Sequence, residues 1–134
     1  MKIEPIEPPG WPRPRGYADG ILATGASRTL FVAGQIAWDE QHRLVGPGDF
    51  AAQFAQSLRN AVAVVRAAGG WPDHIVRMTI YVVDKRQYLA HTVQIRATWR
   101  EILGNHYPAM SLFQVSDLLE PGALVEIEVT AALE

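Results

Sequence analysis

The run Tyr107-Pro108-Ala109-Met110-Ser111-Leu112-Phe113-Gln114-Val115, followed ten residues later by Val125-Glu126-Ile127-Glu128-Val129, decides the fold. The first run is rich in large apolar residues. The second alternates β-branched residues with glutamates. Such alternation is typical of a strand with one apolar face and one polar face. Two closing strands are therefore predicted, Ala109 to Val115 and Leu124 to Leu133, and the apolar side of the last strand is expected to meet the helices.

Apolar periodicity upstream predicts two helices and three further strands. The first helix begins after Asp49, a residue type that caps helix N-termini, and ends at Gly69-Gly70. Four of its polar residues lie outside the apolar stripe: Gln53, Gln56, Arg59 and Asn60. The other predicted elements are a second helix, roughly Arg86 to Leu103, and strands at 20–24, 29–33 and 75–83.

The proline-rich segment 1–16 is expected to be an extended arm lying against the body, because proline is disfavoured in helices and inside sheets. The remaining order, β-β-α-β-α-β-β, predicts an α+β fold. Its mixed sheet carries both helices on one face. The other face then has no cover within the chain, and apolar side chains on such a face indicate association.

Composition excludes several classes of function. A length of 134 residues suits one domain spanning 1–134. The net charge of −2 disfavours nucleic-acid binding, and the absence of cysteine removes thiolate nucleophiles and thiolate metal sites. The four histidines lack the spacing of metal ligands, so no metal is expected. No apolar run resembles a signal peptide or a membrane span, which predicts a cytoplasmic protein.

Four segments resemble motifs of the reactive intermediate deaminase (RidA/YjgF) family. They are Gly16 to Gly20, Phe31 to Ile36, Gln56 to Asn60, and the closing run that begins at Tyr107. The resemblance implies a chorismate mutase-like fold and a homotrimer whose three sheets form a central barrel. It also implies that a small-molecule ligand binds in clefts between subunits. No cofactor is implied.

The resemblance places Glu126 where family members hold the carboxylate that positions water or relays a proton. A carboxylate in a partly dry cleft is suited to both tasks. The alternative is a polar residue of the strand face, paired across a subunit interface. Tyr17 either covers the ligand or anchors the proline-rich arm. The backbone at Gly34 and Gln35 either holds a substrate oxygen or forms a strand end, and Ala33 replaces a serine that is usual in the family.

Met110 stands where deaminating members carry an arginine. A guanidinium suits a substrate carboxylate, whereas a thioether cannot pair with an anion. Met110 therefore either lines an apolar pocket for an uncharged or aromatic substrate or plugs the vacated site, and Leu112 makes the pocket more apolar in both cases. His106 is either a loop residue or a proton-transfer group. Arg77 is either exposed or a substitute for the missing cation.

These features predict a hydrolase that acts on an enamine, an imine or a similar reactive metabolite. A 2-aminoacrylate-type substrate is not expected, because its carboxylate would have no partner at Met110. Two alternatives stay open. The same clefts would serve a non-catalytic trimer that binds a metabolite or a protein. Endoribonuclease activity, reported for some relatives, is the third option.

Overall fold

The computed structural model describes residues 1–134. In chain order the elements are β1 (Lys2–Ile6), β2 (Gly20–Thr24), β3 (Arg28–Gln35), α1 (Phe50–Ala67), β4 (Ile75–Val82), α2 (Lys85–Ala90), α3 (Thr92–Leu103), β5 (Ala109–Gln114) and β6 (Val125–Leu133), with a 3-10 turn at Pro72–His74. None of the helices combines the length and the apolar character needed to cross a membrane.

A four-stranded mixed sheet in the order β3-β6-β4-β5 forms the centre of the structure. β4 and β5 are the only neighbouring strands that pair in parallel, while β6 is antiparallel to both of its neighbours. Parallel strands need a crossover, and α2 with α3 supplies it between β4 and β5. Helix α1 likewise lies in the connection from β3 to β4, the two strands on either side of β6. The predicted mixed sheet is confirmed.

The two faces of the sheet differ as the alternation in β6 predicts. Val125, Ile127 and Val129 join side chains of α1 and α3 in one buried apolar cluster. The residues between them point to the other side, which we call the open face. Its residues, in register across the strands, are Phe31, Arg77, Thr79, Tyr81, Ser111, Phe113, Glu126, Glu128 and Thr130. No helix covers this face.

Helix α1 is fixed at its start and along one side by polar contacts. The side chain of Asp49 accepts a hydrogen bond from the Ala52 N–H (3.1 Å), as expected of an N-cap. Asn60 donates to the carbonyl oxygens of Ile36 (3.0 Å) and Trp38 (2.9 Å), and Gln56 also donates to Trp38 (3.1 Å). These amides hold the chain that follows β3 against the helix.

Gln53 corrects the expectation that the polar residues of α1 lie outside the buried surface. Its side chain is 0% exposed. The amide nitrogen donates to the carbonyl oxygens of Gly46 and Gly122, both at 3.1 Å, and the amide oxygen accepts from the Leu124 N–H at 2.9 Å. A buried polar group is stable only when it is hydrogen-bonded, and Gln53 meets that condition by joining two loops.

The N-terminal segment is not only an extended arm, because residues 2–6 form a strand. β1 pairs antiparallel with β2, with Pro5 opposite Ile21. The two strands form a separate ribbon, so every position lies on an edge strand, where a missing N–H donor is tolerated. An ion pair between the terminal amine of Met1 and Glu134 (2.7 Å) joins the two ends of the chain.

The single second helix expected over 86–103 is wrong, because the chain bends at His91. The Nδ1–H of His91 donates to the carbonyl oxygen of Gln87 (2.6 Å), which the backbone N–H of His91 would bond in a continuous helix. That N–H instead bonds the Tyr88 carbonyl. A side chain inserted into the helical ladder is an established cause of kinks. The bend separates α2 from α3.

Replacing Gln53 with leucine is expected to lower the free energy of unfolding by at least about 2 kcal/mol, because three buried backbone groups lose their partner. Urea denaturation at a fixed protein concentration measures the change. Gln94→Leu, the same substitution at an exposed position of α3, serves as the control and is expected to change stability by no more than about 0.5 kcal/mol. Equal losses in the two variants would contradict the assignment.

Candidate functional site

Glu126 and Gly34 lie together on the open face. Val32 pairs with Val129 and Gln35 with Ile127, so Ala33 and Gly34 form a bulge opposite one residue of β6. A Cβ atom on Gly34 would lie 2.6 Å from a carboxylate oxygen of Glu126, so the Glu126 side chain occupies space that only glycine leaves free. The bulge thus brings backbone and carboxylate into contact.

The side chain of Glu126 has no hydrogen-bond or ion-pair partner in the chain, although the residue is half-buried. Glu128, two residues along the same strand, differs. It accepts a hydrogen bond from the Tyr81 hydroxyl at 2.7 Å, and this bond is the main reason that the pKa of Tyr81 is raised above its ordinary value. One carboxylate of the open face is therefore occupied by a structural contact, and the other is available to a ligand.

Ala33 and Gln35 lie beside this pair and shape the strand end. The side-chain amide of Gln35 donates to the Ala33 carbonyl oxygen (3.2 Å), which folds the side chain back along its own strand. The following residues, Ile36 and Ala37, are buried. This half of the predicted site is therefore built from the end of β3 and the start of β6, held in place by the amides of α1.

Tyr17, Met110 and Leu112 form a second group on a different surface. All three line a cavity of about 330 Å³, here called the Met110–Leu112 cavity, together with Arg15, Gly16, Lys85, Tyr88, Leu89 and Ser111. Met110 and Leu112 pack against the apolar core, so they lie on the helix side of the sheet. The half-buried Met110 is thus a wall of the cavity, as well as a core residue.

His106 lies near Tyr17 in a cavity of about 650 Å³ that adjoins the Met110–Leu112 cavity, because Arg15, Gly16 and Tyr17 line both. Its Nε2–H donates to the Ile75 carbonyl oxygen (2.6 Å), and its own carbonyl accepts from the indole N–H of Trp99 (3.1 Å). Both contacts join the segment before β5 to neighbouring elements. The structure thus gives His106 a structural role, and proton transfer by this residue stays a prediction.

Within one protomer the two groups do not meet. Glu126 lies in the open-face row with Tyr81 and Phe113, whereas Met110 is on the opposite side of the sheet in the row of Met78 and Val129. Arg77 is exposed on the open face, so it does not replace the missing cation beside Met110 within the chain. No three His, Asp or Glu side chains converge on a possible metal position.

Sequence reasoning missed a second cavity next to Met110. This Trp99 cavity, of about 450 Å³, is lined by Arg15, Gly16, Tyr88, Thr92, Ile95, Arg96, Trp99, Tyr107 and Met110. A signal was present in the sequence. Positions 92, 95, 96 and 99 recur at the three- and four-residue spacing of one helix face, and that face mixes an arginine with apolar residues.

Comparison with known proteins identifies the family. The family model described as Endoribonuclease L-PSP matches residues 14–133. A RutC family protein from Pyrococcus horikoshii is 32% identical over 124 residues, which cover 92% of this chain and 92% of that protein. Nearly the whole chain therefore shares its sequence pattern with these proteins.

Solved structures show the same fold. The crystal structure of YyfB, a Rid-family protein of unknown function from Yersinia pestis, matches with a TM-score of 0.85 and 35% identity, covering 99% of this chain and 100% of that chain. E. coli TdcF, solved with bound serine, matches with a TM-score of 0.66 and 29% identity over 98% and 99% of the two chains. The predicted α+β fold is confirmed, and the chain belongs to the RidA/YjgF family, which the family model describes as Endoribonuclease L-PSP.

Proposed function

We propose that this protein hydrolyses an imine, an enamine or a similarly reactive metabolite, with Glu126 as the group that handles water. The observation that carries the proposal is the unpaired carboxylate of Glu126 lying against Gly34 at a strand bulge. A bulge leaves one residue outside the ladder of the sheet, so its backbone is available to a ligand. Carboxylate and backbone then face the same small volume.

The proposed site is completed by association of three copies through the open face. Phe31 is 79% exposed and Phe113 is 51% exposed, and both project from this face. Burial of such side chains favours assembly, and a closed cyclic trimer leaves no unsatisfied surface. In this assembly Glu126 and Gly34 of one protomer face the Met110–Leu112 cavity of the next. Tyr17 borders that cavity and covers the ligand.

The chemistry requires water at carbon and a proton at nitrogen. Glu126 accepts a proton from water as the water oxygen bonds to the C=N carbon, and the same proton passes to nitrogen. The resulting carbinolamine collapses when Glu126 accepts the proton of its hydroxyl group and passes it to the amine. The C–N bond breaks, ammonia leaves and a carbonyl compound remains. One carboxylate serves as base and then as acid, and such proton transfer contributes typically 10²–10⁴-fold to a rate.

Met110 sets the proposed limit on substrates. In place of a cation beside the reactive carbon, the chain has a thioether and, two residues on, Leu112. Neither compensates a carboxylate held there, and burying an unpaired charge is costly. A small 2-aminoacrylate-type substrate is therefore not proposed, whereas apolar or aromatic bodies pack well against methionine.

Ligand binding without turnover is the second candidate. It is favoured by E. coli TdcF, a structural neighbour that was solved with bound serine. RNA cleavage has less support in the sequence, because a net charge of −2 provides no basic footprint for a phosphate backbone. Loss of turnover in Glu126→Gln distinguishes hydrolysis from binding alone.

The parent protein is expected to have the mass of three chains in light scattering coupled to size exclusion. Phe31→Glu is expected to shift it to smaller species, because a charge replaces an apolar side chain in the proposed interface. Leu119→Glu is the control, since Leu119 is 101% exposed in the loop before β6. A parent that is monomeric at all concentrations, or equal effects of the two variants, would reject the assembly.

Glu126→Gln is expected to reduce turnover of imines and enamines by at least about 10²-fold while ligand affinity changes little, because the amide keeps the shape but cannot accept the proton. Ammonia release from a panel of imines and enamines measures turnover. Glu128→Gln, on the same strand and face, is the matched control and is expected to stay near the parent rate. Unchanged turnover in Glu126→Gln would remove the assigned role.

Met110→Arg is expected to raise hydrolysis of 2-iminopropionate on the order of 10- to 100-fold over the parent, because a guanidinium supplies a charged hydrogen bond to the carboxylate. Pyruvate release from imine generated in the assay, corrected for the spontaneous rate, measures the gain. Met110→Leu is the neutral control and should give none. Efficient hydrolysis by the parent itself would contradict the proposed substrate limit.

A further inference from the structure

The Trp99 cavity adjoins the Met110–Leu112 cavity, because Arg15, Gly16, Tyr88 and Met110 line both. Its volume of about 450 Å³ is in the range of small-molecule sites. A ligand held against Met110 therefore has room to extend along α3, beyond the atoms that react.

A pair of aligned aromatic rings forms one wall of this cavity. The rings of Trp99 and Tyr107 lie nearly parallel, with an interplanar angle of 8° and centroids 5.8 Å apart. The hydrogen bond from the Trp99 indole N–H to the His106 carbonyl fixes the indole, and Trp99 is itself buried. Ile95 and Met110 add apolar surface. A flat apolar group fits such a wall better than a small hydrated one.

Two arginines border this apolar wall. Arg15 and Arg96 line the cavity, and no aspartate or glutamate does. Neither guanidinium makes a hydrogen bond or an ion pair within the chain, in contrast to Arg43 and Arg86, which pair with aspartates. Exposed arginines are often unpaired, but two that border one apolar cavity form an arrangement suited to an anion. Guanidinium groups bind carboxylates and phosphates through paired N–H donors.

We propose that the Trp99 cavity binds the distal part of the ligand, a flat apolar body that carries a carboxylate or phosphate, with the anion held by Arg15 and Arg96. Position 110 carries no cation, and the positive charge of this site lies at Arg15 and Arg96, farther from the reactive carbon. The favoured ligand therefore has a ring between its anionic group and that carbon. The identity of the reacting end rests on the proposed hydrolase function. Binding of the anionic end does not.

Isothermal titration calorimetry of the intact protein tests this selectivity. Phenylacetate and phenyl phosphate present a ring with an anion, acetate lacks the ring, and phenylacetamide lacks the charge. At least one of the ring-bearing anions is expected to bind about 10-fold more tightly than acetate and phenylacetamide. The tighter of the two identifies the anion as carboxylate or phosphate. Equal affinities for charged and uncharged ring compounds, or no binding of either anion, would overturn the proposal.

Arg96→Gln is expected to weaken binding of the preferred anion about 10-fold, with no change for phenylacetamide, because only the charged hydrogen bonds are lost. Arg100→Gln is the matched control, since Arg100 is an exposed arginine of the same helix that does not line the cavity. A loss in Arg100→Gln equal to that in Arg96→Gln would show only a general effect of charge and would overturn the assignment.

Titration of the parent protein, combined with imine turnover by the parent and by Glu126→Gln, separates this inference from the hydrolase proposal. Retained selectivity for the anion in a parent protein that turns over no imine would remove the hydrolase and leave the cavity assigned. The opposite result is turnover of uncharged imines that is abolished in Glu126→Gln, together with equal affinities for phenylacetate and phenylacetamide. It would support the hydrolase and overturn the anion site in the Trp99 cavity.

Discussion

The two-residue period of β6 is the constraint on which the rest of the structure depends. This strand lies between β3 and β4, so a shift of its register by one residue would bury Glu126 and Glu128 in the core and expose Val125, Ile127 and Val129. Both outcomes are costly, because buried carboxylates lack partners and exposed β-branched residues lose their packing. The alternation therefore fixes the core and the acidic side of the open face together.

The side-chain amides of α1 position the two halves of the candidate site on this sheet. Gln56 and Asn60 hold the chain at Ile36–Trp38, directly after the bulge at Gly34, and Gln53 holds the loop that leads into β6. The two segments that bring Gly34 and Glu126 together are thus attached to the same helix. In the sequence these amides look like the solvated side of an amphipathic helix, because periodicity reports the spacing of polar residues and not their partners.

An element of this fold could be predicted from the sequence when the residues of the element itself carry the signal. Helix α1 and strands β2 to β6 are visible in local periodicity and capping, since their signals lie within the elements themselves. Strand β1 and the bend at His91 are not. β1 depends on pairing with residues 20–24, which lies outside the element itself. The bend depends on a local contact, the hydrogen bond from the His91 side chain to the Gln87 carbonyl, but histidine also occurs inside continuous helices, so its presence does not reveal the bend. Proline content was misleading at β1 because an isolated ribbon tolerates it.

The candidate site also combines features that the sequence indicates with contacts that it does not show. Resemblance named residues of both halves, and the structure brings together Gly34 with Glu126 and Tyr17 with Met110 and Leu112, but on different faces of one protomer. In the proposed trimer the two halves meet across two chains, and a pattern within one chain does not encode such a contact. In the proposed assembly, the reacting group and the groups that select the ligand come from different protomers. Under the proposed function, the absence of a cation at position 110 is compatible with hydrolysis at Glu126, because the proposed ligand places its anion at Arg15 and Arg96 on the far side of the cavity.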